Sequence, residues 1–186
     1  MGKKLSEMTL EELWQLFPIF LTEHKECWNE WFSEEEILLS NVLPKTERIS
    51  HIGSTAISSI WAKPIIDILV EVPKESNLLE YKNVIVSNGY ICMSQGADKI
   101  SFNKGYTENG FAERVFHLHL KYAGDNNELY FRDYLNDFPE IAKEYEALKL
   151  SLWKEHEHNR DAYTNEKSEF VKKHTEQAKK IYGSRY

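Results

Sequence analysis

The feature that most constrains this chain is the run over residues 64–72, Pro-Ile-Ile-Asp-Ile-Leu-Val-Glu-Val. It is short, β-branched and almost continuously apolar, the pattern of a strand covered on both faces. Such a strand sits inside a sheet with other elements packed above and below it, which points to an α/β or α+β architecture. One acid, Asp67, interrupts it. An unpaired carboxylate is costly to bury, so Asp67 requires a partner, a bound cation or a raised pKa. A hydrogen-bonded structural aspartate meets that requirement as well as a functional one does.

Around this strand the periodicities alternate. Residues 6–8 precede a capped helix start at Thr9, with Leu10, Leu13, Trp14 and Phe17 on one face. A second helix is predicted over 22–41, its apolar face made by Cys27, Trp28, Trp31, Phe32, Leu38 and Leu39, and closed by Pro44. Spacing and composition favour core packing for these aromatics over a partner surface. Residues 48–52 read as a short strand, and Gly53-Ser54-Thr55 turns out of it. A helix over 77–88 is ended by Gly89. Strands are expected at 90–93, 99–104 and 115–121, with turn-rich joints at Gly96 and over 105–110. From Asn127 onward the spacing is helical, so the prediction is a mixed sheet flanked by helices with a helical C-terminal third.

The 186 residues fit one hydrophobic core, and 41% hydrophobic with 13% aromatic residues supply it. No repeat or Gly/Ser/Pro-rich linker divides the chain, so residues 1–186 read as one domain with 1–26 as an N-terminal helical extension. The net charge of −7 disfavours bulk nucleic-acid binding. Cys27 and Cys92 stand far apart, which argues against a disulfide framework or a cysteine zinc site. Without a secretory apolar stretch or a run of roughly 20 apolar residues, the expectation is a cytoplasmic protein outside the membrane; oligomeric state leaves no spacing signature.

The chemistry centres on residues 51–67. Gly53 and Ser54 precede Asp67 by 14 and 13 residues at a strand-to-turn junction. There glycine lets backbone approach a ligand, and a hydroxyl with neighbouring N–H groups can hold phosphate. A Gly-Ser turn followed by a strand acid resembles the layout of the nucleotidyltransferase superfamily, in which the acid holds a divalent ion bridging nucleotide phosphates. Over greater length, His51-Ile-Gly-Ser-Thr-Ala with Ala62-Lys-Pro-Ile-Ile-Asp-Ile resembles the signature of the GrpB family. Phe102-Asn-Lys-Gly, Phe116-His-Leu-His-Leu, Leu129-Tyr-Phe-Arg-Asp-Tyr-Leu, Pro139-Glu-Ile-Ala-Lys-Glu-Tyr and Arg160-Asp-Ala-Tyr-Thr-Asn-Glu-Lys-Ser-Glu-Phe are similar to that family in the same order. The resemblance, from Cys27 to the C-terminus, implies a nucleotidyltransferase-like fold and a nucleotide or other phosphorylated small molecule as ligand.

One departure stands out. Active nucleotidyltransferases carry two strand acids separated by one residue, whereas Leu69 occupies the second position here. Glu71 is about 13 Å along the strand, too far to share an ion with Asp67, and reads as a strand-end surface acid. His117 and His119 alternate onto one face of a neighbouring strand and with Asp67 could hold a transition metal in place of magnesium; paired histidines in a polar cleft are the alternative. Among basic residues, Lys63, Arg132 and Lys167 fall in family-like segments and are candidate phosphate ligands, with Tyr163 stacking or hydrogen-bonding nearby. Arg114 is a further positive candidate, but each of these cations could equally be a surface or ion-pair residue. His156 and His158 lie in a charged helical stretch and read as a solvated face.

Three functions follow as expectations. The first is phosphorylated-ligand binding with a divalent ion at Gly53, Ser54 and Asp67, extending to nucleotidyl transfer with Asp67 as the catalytic acid. The second is a non-catalytic binding or regulatory module, favoured by Leu69. The third is a metal-dependent hydrolase, which requires Asp67, His117 and His119 to converge on one ion.

Overall fold

A computed structural model describes residues 4–124 and 126–186; the first three residues of the N-terminal extension lie outside them. A helix α1 (Leu10–Leu16) opens the chain, followed by α2 (Cys27–Val42), β1 (Arg48–Ile52), β2 (Ile66–Val72) and α3 (Leu78–Ser87). Three strands come next, β3 (Ile91–Gln95), β4 (Lys99–Thr107) and β5 (Gly110–Tyr122), and four helices complete it: α4 (Asn127–Asp137), α5 (Pro139–His156), α6 (Arg160–Glu166) and α7 (Ser168–Tyr182). The result is a mixed α/β fold with a helical C-terminal third.

The five strands form one sheet in the order β1-β2-β5-β4-β3. Only β2 and β5 run parallel; the other neighbours are antiparallel. The apolar run thus lies at an interior position, as its composition demands. Its even-numbered residues Ile66, Ile68, Val70 and Val72 join Phe116, Leu118 and Leu120 in the main core beneath Trp28 and Leu39 of α2 and Tyr81 and Ile85 of α3. Its odd-numbered residues face the C-terminal helices, where Leu69 packs with Ile52 of β1 and Leu129 of α4. Pairing Asp67 with His117 and Leu69 with His119 puts all four on that second face.

Several boundaries differ from the sequence reading. The helix predicted from residue 22 begins at Cys27, because Thr22 is extended and exchanges backbone hydrogen bonds with Ala62 (3.0 and 2.9 Å). Thr9 is the N-cap of α1, in a reciprocal pair with Glu12. The joint expected over 105–110 is largely strand. Gly105, at φ +89°, absorbs an irregularity in the β4–β5 register, and a Cβ there would stand 3.0 Å from Val115 Cα. The hairpin then closes tightly where the Thr107 hydroxyl donates to the Gly110 carbonyl at 2.8 Å.

Glu71 is not a surface acid. It is fully buried, accepting from Arg48 at 2.5 Å and from Asn126 at 2.6 Å. A strand end reads as exposed in one dimension; here β1 and the start of α4 cover it and supply both partners.

Candidate phosphate and metal site

Asp67 lies directly across from the end of β1, paired with Ile52, so the turn leaving β1 falls against its side chain. Gly53 adopts φ +70°, a region open mainly to glycine, and a Cβ at that position would lie 2.9 Å from Asp67 Cγ and 3.0 Å from its Cβ. Both the backbone conformation and the close approach require glycine. The turn is fastened below: the Thr55 hydroxyl donates to the Ile65 carbonyl at 3.1 Å, and His51 Nε2 sits 2.9 Å from the same hydroxyl with its ring stacked on Phe32.

A cavity of about 190 Å³ opens at this junction, lined by Gly53, Ser54, Lys63, Asp67, His117, Tyr145, Lys149, Tyr163 and Lys167 among others. Seven of these residues, all but Tyr145 and Lys149, were singled out from sequence. The positive charge converges: Lys63 and Lys167 hold their ammonium groups over the Tyr163 ring, 5.1 and 4.3 Å from its centroid, and Lys149 lies 4.9 Å from the centre of Tyr145. Burial pushes Lys63 down to about 7, helped by Lys167 and Arg160, and it likewise lowers Lys149 to about 7 and Lys167 to about 8. Asp67 is opposite in sense. Burial works against its ionisation, but hydrogen bonding to His117 and the nearby charges outweigh that and hold it below the usual carboxylate range. Three lysines thus share the cavity with one carboxylate, and burial holds each lysine below its ordinary pKa.

The second face also carries a chain of contacts leading away from Asp67. His117 Nδ1 is 3.5 Å from the Asp67 carboxylate, its Nε2 is 2.7 Å from the Tyr106 hydroxyl, and Arg160 donates to that hydroxyl at 3.1 Å. Tyr163, wholly buried in the cavity wall, keeps a hydroxyl with no hydrogen-bond partner among the described residues. Ser54 shares a side-chain hydrogen bond with Tyr145.

Three sequence candidates lie elsewhere. Arg132 is fully engaged by protein groups: it donates to the His51 carbonyl at 3.1 Å, to Asp133 at 2.8 Å and to the Tyr186 hydroxyl at 3.1 Å, so it ties α4 to β1 and does not line the cavity. His119 is beside the site, with Nδ1 3.3 Å from the Ser101 hydroxyl on β4 and burial pushing its pKa down to about 4. The proposed Asp67, His117 and His119 ligand set does not assemble. Among the described residues, the one group whose His, Cys or carboxylate ligand atoms lie within 4.8 Å of one another is Glu155, His156 and Glu166, on the surface, without His158. The hydrolase reading loses its geometric condition, because His119 turns toward Ser101 and His117 is held by Tyr106. Arg114 is on the surface, paired with Glu34.

Sequence reading missed Tyr145 and Lys149. Their signal was present: with Ala142 and Leu152 they occupy one buried stripe of α5 at spacings of three and four residues, a lysine where the helix turns inward. No helix among the described residues is long and apolar enough to cross a membrane.

Residues 18–177 match the family model described as GrpB protein. The chain is 38% identical over 161 residues to glutamate-rich protein GrpB of Alkalihalophilus pseudofirmus, covering 82% of this chain and 91% of that protein. It is 34% identical over 184 residues to the UPF0157 protein YqkA of Bacillus subtilis, covering 95% of this chain but 53% of YqkA; it therefore spans about half of that relative's length. Among solved structures it is similar to GrpB from Enterococcus faecalis, with a TM-score of 0.75 and 33% identity over 88% of this chain and 99% of that one. A more distant likeness is to the Cid1 poly(U) polymerase bound to MgGTP, at a TM-score of 0.50 and 13% identity, covering 78% of this chain and 45% of that one; it shows the nucleotidyltransferase-like fold. The chain belongs to the GrpB family.

Proposed function

We propose that this protein binds a nucleotide or another phosphorylated small molecule, together with a divalent ion, in the cavity between the Gly53-Ser54 turn and the C-terminal helices. The observation that carries this is the convergence of Lys63, Lys149 and Lys167 on one cavity with a single carboxylate, Asp67. A phosphate chain supplies the negative charge that would let the three lysines ionise fully, and the half-buried Gly53-Ser54 turn contributes a hydroxyl and backbone N–H groups. One carboxylate is enough for magnesium when the ligand's own phosphate oxygens complete its shell. Asp67, with a side chain 28% exposed and held in its ionised form, fits that role. The ion's chemistry is to neutralise phosphate charge; the chain's part is to orient the phosphates with Lys149 and Lys167 and to shield them beneath α5 and α6.

Leu69 favours binding over nucleotidyl transfer. Its side chain is wholly buried against Ile52 and Leu129, so the position of a second metal-binding acid is filled by core. Calorimetric titration with nucleoside triphosphates and magnesium should give a magnesium-dependent complex that Asp67→Ala abolishes while its melting temperature stays near that of the parent. Pyrophosphate release should be no faster than in the Asp67→Ala control. Unchanged binding by the variant would remove Asp67 from the site, and robust Asp67-dependent pyrophosphate release would restore the transferase reading.

A further inference from the structure

A second cavity, also about 190 Å³, lies across Lys63 from the first and shares Lys63 and Ile65 with it. Its character is different: Phe20, Trp28, Trp31 and Phe111 wall it, with Val115 and Ile65 between them. The two cavities adjoin at one end of the β2–β5 pair: Val115 lines the aromatic cavity and His117, two residues further along β5, lines the charged one, a step of about 7 Å along the strand.

We infer that the aromatic cavity is the subsite for a planar heteroaromatic ring, carried by the same ligand whose phosphates occupy the lysine cavity. This rests on the phosphate-binding reading above. Phe20, Trp31 and Phe111 give flat apolar walls suited to stacking a ring, and stacking tolerates any ring with a π-face. Lys25, Lys63 and Arg160 also line the cavity, and a ring nitrogen or ring carbonyl can accept from such donors where an alkyl chain cannot. Lys63, standing between the two cavities, faces the junction of ring and phosphates. Selectivity for a nucleotide over a bare polyphosphate would then reside in α2 and the β4–β5 hairpin, far in sequence from the lysines of α5 and α6–α7.

The experiment compares inorganic triphosphate with each of the four common ribonucleoside triphosphates, in magnesium, by calorimetry on the whole chain and on Ala112→Trp. Ala112 is exposed at the cavity rim, so an indole there blocks the aromatic cavity without entering the core or the lysine site. The expected result is that at least one nucleoside triphosphate binds tenfold or more tighter than inorganic triphosphate, that A112W removes this advantage, and that its affinity for inorganic triphosphate is unchanged. Equal affinity for all five probes in the parent, or an advantage that survives in A112W, overturns the ring subsite while leaving the phosphate site standing. Failure of all five to bind the parent overturns the phosphate reading and the ring subsite with it.

Discussion

At residue scale the site depends on one close approach. Gly53 and Asp67 are packed so that any side chain at 53 meets the carboxylate, and φ +70° adds backbone strain for a non-glycine residue. Gly53→Ala should therefore lower stability by roughly 1–3 kcal/mol, and it should displace Asp67 enough to weaken magnesium-dependent ligand binding. Chemical denaturation with a parallel titration checks both, and an alanine variant with parental stability would show that the turn has room to relax. His51 gives a second test at this scale. Burial pushes it down to about 4 although Asp67 opposes this, so the folded state binds its proton more weakly than the unfolded chain. Its contribution is fully present above the unfolded value of about 6.5, is lost as pH falls toward 4, and changes no further below that. Melting temperature should drop across that window, and His51→Gln should flatten the drop; superimposable pH profiles for variant and parent would contradict the assignment.

At the scale of elements, β2 shows how one strand serves two layers. Even positions build the core with α2 and α3, while the odd face changes character along its length: Asp67 at the cavity, Leu69 in an apolar contact, and Glu71 in a buried ion pair with Arg48. This answers what the missing second acid means. Leu69→Asp would put a carboxylate between Ile52 and Leu129 without a partner, and should cost about 3–5 kcal/mol without creating pyrophosphate release. A stable Leu69→Asp protein with magnesium-dependent nucleotidyl transfer would show that the strand can accept the two-acid arrangement. The α5 helix makes the complementary point. Lys149 occupies the buried stripe and donates to the Trp61 carbonyl; it sits where packing alone would place an apolar residue, and the cavity it faces explains its presence.

At the scale of the whole molecule, the charges are segregated. The chain carries a net −7, yet its cavity gathers three lysines around one aspartate. On the proposed reading, the negative surface would repel long polyanions while the positive cavity would admit a small phosphorylated ligand. Because burial holds Lys63 and Lys149 near 7 and Lys167 near 8 in the free protein, binding a phosphate chain must restore their protonation. Titration with inorganic triphosphate at pH 8, in buffers of different ionisation enthalpy, should reveal net proton uptake, and affinity should fall as pH rises above 8. Lys149→Met should reduce both the uptake and the affinity. Binding without proton uptake would mean that the phosphates rest somewhere other than among these lysines.

The sequence by itself determined the interior strand, the glycine turn, the acid between them and the helical tail, because each is encoded locally: an unbroken β-branched run, a turn residue, a lone charge among apolar neighbours, a period of 3.6. It also brought forward Lys63, Tyr163 and Lys167 alongside Gly53, Ser54, Asp67 and His117, which the fold gathers into one cavity. What depends on partners distant in the chain emerges only on folding. Arg132 left the site because the His51 carbonyl, 81 residues earlier, and Tyr186, 54 residues later, claim its donors. Glu71 became core because Arg48 and Asn126 meet it, and His119 left the metal set because Ser101 lies on the strand beside it. Lys149 entered because α5 packs its buried stripe against Ile57, Ile60 and Trp61, which follow the turn, and Lys149 donates to the Trp61 carbonyl. The physical reason is the same in each case: the environment of a charged group is set by what packs against it, and a one-dimensional pattern records which way a side chain faces but not which distant residue it meets.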